Sequence, residues 1–196
     1  MHTFAELIAR GRARGSRSQG LRVRLREATA TAHQSLDARI AASNLTSLAC
    51  YRHFLEATAA ALIPLEAALE DSNVNAVVKD WQERARTQAI RSDLARIGGQ
   101  VLPLPSVKRL SHAETLGVLY VLEGSRLGAR YLLRTVSASS DPMVANATAY
   151  LGHGSVSLWQ TFLAVLNRKS RIADEAGAVA GSIMAFNLFG RAFARP

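Results

Sequence analysis

LGVLYVLEGSRLGARYL, Leu116 to Leu132, is apolar enough to be buried and carries glycine at 117, 124 and 128. Just before it, Ser111-His112-Ala113-Glu114 has the spacing of a capping box, in which serine and glutamate side chains satisfy each other's backbone N–H groups. A helix therefore starts here and runs to residue 136. Each glycine inside it costs about 1 kcal/mol relative to alanine, and three of them are a large concession in a protein of ordinary stability. Gly117, Val121, Gly124 and Gly128 share a narrow arc of the helix, flanked by Tyr120 and Tyr131. A bare backbone strip of this kind serves one of two ends. Another helix packs closely on it, through the G-x-x-x-G spacing, or a flat ligand lies against it, with a bend at the glycines.

The chain on either side is also helical. Upstream, apolar periodicity predicts helices over 21–42, over 47–70 with Pro64 as a kink, and over 75–97, the last stopped by Gly98-Gly99. QVLPLPSVKRL, residues 100–110, is a loop. Downstream, Asp141-Pro142 pairs an N-cap with a proline at the first helical position and opens a short helix to residue 150. Gly152-His153-Gly154 breaks the chain, and helices follow over 156–168 and 172–193. No hairpin signal or alternating strand pattern occurs. The fold class is all-α, a single-domain multi-helix bundle, and 196 residues are enough for one real core.

The chain carries 24 Lys+Arg, of which only Lys79, Lys108 and Lys169 are lysine, and a net charge of +9. Seven of the arginines lie within residues 1–26 against a single acid, Glu6, so the body is only mildly basic. Residues 1–20 read as an Arg/Gly/Ser-rich tail, and 21–196 as the helical domain. The run RGRARGSRSQG has no aromatic among its arginines, so it offers no stacking surface and no nucleic-acid partner is expected. It also lacks the apolar core of a secretory signal. No apolar run is long enough to cross a bilayer. The lone Cys50 rules out an internal disulfide and fits a reducing compartment, so a cytoplasmic location without membrane attachment is expected.

In helix one, LREATATAHQSLD (Leu25 to Asp37) sets Leu25, Ala28, Thr29, Ala32, Leu36 and Ile40 on an apolar stripe, with His33 beside it. Asp37 lies one turn after His33, where its carboxylate reaches the imidazole. Arg26 lies two turns before it on nearly the same face, about 10 Å along the axis. His33 is either a satisfied boundary histidine or a metal ligand whose other ring N–H is held by a carboxylate. His53, His112 and His153 have no comparable partner set and are read as non-ligands.

Taken together, LREATATAHQSLD (25–37) resembles the proximal helix of haem oxygenases, and LGVLYVLEGSRLGA (116–129) resembles the glycine-rich distal helix of their bacterial members. AYLGHGSVSLWQTFLAVL (149–166) is similar to the loop and helix that follow. The resemblance implies haem held between the first helix and a kinked distal helix. It implies His33 as iron ligand and Asp37 as the acid orienting it. Arg26 and Tyr120 fall at the positions that meet propionates, and Gly124, Ser125 and Gly128 at the strip that leaves room for dioxygen. The implied reaction is oxidative cleavage of haem to biliverdin with release of carbon monoxide and ferrous iron. It uses O2 and an external reductant, such as a ferredoxin or flavodoxin reductase system, since no flavin or iron–sulfur motif is present. The alternative is a haem-binding or haem-sensing module of the same fold that does not turn over. Ser125 stands where many relatives carry aspartate, and Arg126, expected opposite the glycine strip, replaces an often uncharged position.

Overall fold

The structure, a computed structural model, describes residues 19–155, 157–169 and 174–195. Residues 1–18, nearly all of the Arg-rich tail, lie outside the described residues. All regular structure among the described residues is helical. The helices are α1 (Gln19–Ala41), α2 (Leu48–Asp71), α3 (Trp81–Arg84), α4 (Thr87–Arg96), α5 (His112–Ser137), α6 (Pro142–Asn146), α7 (Ala149–Gly152), α8 (Ser157–Lys169) and α9 (Glu175–Ala192), with a 3-10 turn at Val74–Ala76.

Helix α2 runs through the middle of the core, and Leu55, Ala59, Ala61, Leu62, Leu65 and Leu69 are fully buried. It continues through Pro64. Proline has no N–H to donate to the carbonyl four residues back, and Leu104 in the following loop donates to that Ala60 carbonyl instead, at 2.8 Å. Helix α9 packs on α5, α1 and α2. The crossing of α5 and α9 is very close. A Cβ added at Gly117 would run into the Ala178 backbone carbonyl, and one added at Gly181 would meet the Glu114 backbone. Gly117 is thus a helix-packing glycine, and of the two ends open to the glycine strip it serves the first.

Two expected helices are divided. The segment read as one helix over 75–97 becomes the 3-10 turn, α3 and α4. The buried Glu66 carboxylate of α2 accepts from the backbone N–H groups of Arg86 (2.8 Å) and Thr87 (2.9 Å) and from the Thr87 hydroxyl (2.7 Å), starting α4 afresh. The expected stop holds: α4 ends at Arg96, and Gly98 takes the left-handed conformation, φ +64°. The segment read as one helix from 141 to 150 becomes α6 and α7. Asp93 caps α7 by accepting from Ala149 (2.9 Å) and Tyr150 (2.7 Å), and Tyr51 donates to the Ala147 carbonyl between them (2.6 Å). The capping box is formed as expected: Ser111 N–H donates to Glu114 at 2.8 Å and Glu114 N–H to the Ser111 hydroxyl at 3.2 Å.

Candidate haem site

Helices α1 and α5 both pack on α9 and both meet α8. On α1, Leu21, Leu25 and Thr29 are buried, while Ala32, Leu36 and Ile40 are half-buried. Ala28 is exposed, contrary to the apolar stripe expected from the sequence, because nothing among the described residues covers that side of α1.

His33 lies half-buried on the face toward α9. Its Nδ1 is 2.9 Å from an Asp37 carboxylate oxygen, and its ring is 5.7 Å from that of Phe186 on α9, tilted by 60°. A neutral imidazole that donates Nδ1–H to a carboxylate carries its lone pair on Nε2, the arrangement of a ligating histidine with a fixed tautomer. Among the described residues, no group of three or more His, Cys, Asp and Glu side chains could hold a metal ion.

Nearer its start, α1 is basic. Arg26 is exposed and Arg22, one turn before it, is half-buried. Both guanidiniums act on the half-buried Tyr120 of α5: burial pushes its phenol up, and Arg22 and Arg26 pull it back down. Arg26 thus acts electrostatically on Tyr120, whose phenol nonetheless stays above its ordinary range. Arg22 is an addition. It lies eleven residues before His33 and so close to the same helix face, a signal that extending the α1 stripe by one turn would have found. Its Cζ is 6.0 Å from the centroid of Trp159 on α8, whose ring is 5.8 Å from that of Tyr120.

Helix α5 runs without interruption past Gly124 and Gly128, both half-buried. A Cβ at Gly124 would lie 3.7 Å from the Trp159 ring, an ordinary contact. Ser125 faces a polar partner: its hydroxyl donates to the Leu122 carbonyl at 2.7 Å and accepts from Arg86 Nη2 at 3.1 Å. Arg126 is buried and belongs to the scaffold. It holds Glu123 through Nε at 3.0 Å, the Arg84 carbonyl at 2.6 Å and the His153 carbonyl at 3.1 Å. Burial and the Arg126 and Arg86 guanidiniums push the His153 imidazole below its ordinary range. On α9, Phe186 meets His33, whereas Asn187 lies in a separate groove with Pro105, Val107 and Met184.

An imidazole oriented by a carboxylate on α1, guanidiniums on the same helix acting on a phenol of α5, and glycines on that second helix are the features that a site for a flat, acidic, metal-centred ring would need. A model of the family described as "Heme oxygenase" matches residues 19–195. The chain is 35% identical over 131 residues to the heme oxygenase of Xanthomonas campestris pv. campestris, covering 65% of this chain and 79% of that protein. It is 38% identical over 116 residues to heme oxygenase PigA of Pseudomonas aeruginosa, covering 55% of this chain and 57% of that one. The heme oxygenase of Neisseria meningitidis, solved with NO and CO bound, shares the fold with a TM-score of 0.69 at 22% identity, over 88% of this chain and 89% of that one. The chain belongs to the haem oxygenase family of enzymes. Among the described residues, no helix is long and apolar enough to cross a membrane.

Proposed function

We propose that this protein cleaves haem to biliverdin, carbon monoxide and ferrous iron, using O2 and electrons from an external donor of the ferredoxin or flavodoxin reductase type. The observation that carries the reading is the His33 Nδ1–Asp37 pair at 2.9 Å, on the α1 face that also presents Arg26 toward Tyr120. Haem, once bound, supplies both the redox-active iron and the carbon skeleton that is oxidised. His33 offers Nε2 to the iron, and Asp37 holds the ring against rotation. A neutral imidazole pushes less electron density onto the iron than a thiolate does, which suits oxidation of the ring itself. Arg26 and Tyr120 pin the propionates and set the ring's rotation in its plane, while Gly124 and Gly128 keep side-chain bulk off the opposite face.

A non-catalytic haem carrier is the second reading. Its support is that the Ser125 hydroxyl is already engaged by Leu122 and Arg86, which leaves the distal face less polar. Turnover decides between the two. With haem, a ferredoxin-type reductant and catalase present, the enzyme yields biliverdin and carbon monoxide, whereas the carrier yields neither. Gly128→Val should still take up haem through the α1 residues, yet lose bilin yield about a hundredfold, the cost of displacing reacting groups by an ångström. Turnover like the parent's would show that Gly128 is no part of the distal face.

The propionate assignment has its own test. Arg26→Ala combined with Tyr120→Phe should weaken haem binding about tenfold, the equivalent of one charge-assisted hydrogen bond at a partly exposed site, and should spread the bilin over more isomers. Unchanged affinity and isomer composition would place the propionates elsewhere.

A further inference from the structure

Behind the glycine strip lies a buried ion cluster that the haem contacts leave unused. Arg84, in the four-residue helix α3, is 2% exposed, and all five of its N–H donors are engaged. Nε and Nη2 hold the Asp80 carboxylate at 2.7 and 2.8 Å. Nη1 donates to Glu123 at 2.7 Å and to the Leu158 carbonyl at 3.0 Å, and Nη2 also donates to the Thr161 hydroxyl at 2.9 Å. Glu123, equally buried, is held from its other side by Arg126.

The partners of Arg84 are adjacent in sequence to the residues that shape the distal face. Glu123 directly precedes Gly124 on α5, and Leu158 directly precedes Trp159 on α8. The Trp159 ring lies 3.7 Å from where a Gly124 Cβ would stand, so one guanidinium grips both sides of that contact one residue back. Burying a guanidinium is costly, and an ion pair in the core seldom adds net stability over an apolar packing of the same volume. What a planar five-donor fork does supply is fixed geometry. We propose that Arg84 is a positioning residue, which sets the separation of Trp159 from the Gly124 backbone and thereby the shape of the space over the haem's distal face. The proposal rests on the haem-cleaving reading above for its consequence, and on the protein alone for its geometry.

The test uses Thr161→Val, Thr161→Ser and Arg84→Lys in the full chain. Thr161 is exposed, so its replacement leaves the core intact. Arg84→Lys keeps the charge and loses the fork. In the haem-free protein, acrylamide quenching of tryptophan emission reports on the half-buried Trp159, because Trp81 is 1% exposed. Quenching should rise in Thr161→Val, rise further in Arg84→Lys, and return to the parent level in Thr161→Ser. With haem bound, affinity should stay within about threefold of the parent in Thr161→Val, while the C–O stretch of the ferrous carbon monoxide complex and the bilin isomer ratio both move. If Arg84→Lys does not fold, the Thr161 pair decides by itself. Lower melting temperatures with parent quenching, C–O stretch and isomer ratio would overturn the proposal and leave Arg84 a fold staple. Haem bound without bilin formation would remove the catalytic reading and leave the C–O stretch to judge Arg84. A chain that binds no haem would overturn both.

Discussion

His33→Ala should abolish the imidazole-ligated ferric spectrum and with it bilin formation, and added imidazole should restore the spectrum. On the proposed reading this truncation leaves Arg26 and Tyr120 in place, so haem should still enter but should have no protein nitrogen on its iron. Free imidazole fits the space the ring vacated. Asp37→Asn, which keeps the size and removes the charge, should cost about ten- to a hundredfold in haem affinity or turnover, the usual effect of removing the acceptor behind a ligating histidine. Absorption spectra of the haem-loaded proteins, with and without imidazole, read both results. A parent-like spectrum in His33→Ala would move the ligand role to another histidine.

Gly117→Val and Gly124→Ala should part in opposite directions. A side chain at 117 collides with the Ala178 carbonyl, a main-chain atom that yields only if α9 moves away from α5. Overpacking against backbone at the most extensive helix contact should cost about 3 kcal/mol or more. In a chain of this size that lowers the melting temperature by about 6–12 °C. At 124 the added methyl finds an ordinary contact with Trp159. Alanine there should leave stability unchanged or raise it by up to about 1 kcal/mol, through helix propensity alone. Its cost should fall on bilin yield, because the methyl projects from the strip on which the haem is proposed to lie. Thermal melts with parallel turnover assays check the pair. Equal destabilisation by both substitutions would mean that Gly124, too, is a packing glycine.

The α1 stripe, the Ser111–Glu114 capping box, the stop at Gly98 and the Asp141 cap were legible because each is a local arrangement within one or two turns of chain. The His33–Asp37 pair was legible for the same reason, as i,i+4 spacing places an acid beside a ring wherever the helix sits. The helix class and the His33–Asp37 pairing on α1 were therefore determined by the sequence alone. Contacts between segments distant along the chain decided the rest. Glu66 divides the 75–97 segment from a position some twenty residues upstream, and Asp93 divides the 141–150 segment from more than fifty away. A carboxylate supplied by another helix starts a new helix where no local cap signals one, and periodicity carries no trace of it. The glycine arc needed the tertiary structure most. Gly117, Gly124 and Gly128 look alike in a helical sequence, and only the tertiary structure shows that α9 leaves no room for a side chain at the first, whereas a methyl at the second finds an ordinary contact with Trp159. Arg84, too, shows in the sequence only as one more charge. Its role exists because folding encloses its five donors among acceptors from Asp80, α5 and α8, where a fixed planar group can hold two helices at a set distance.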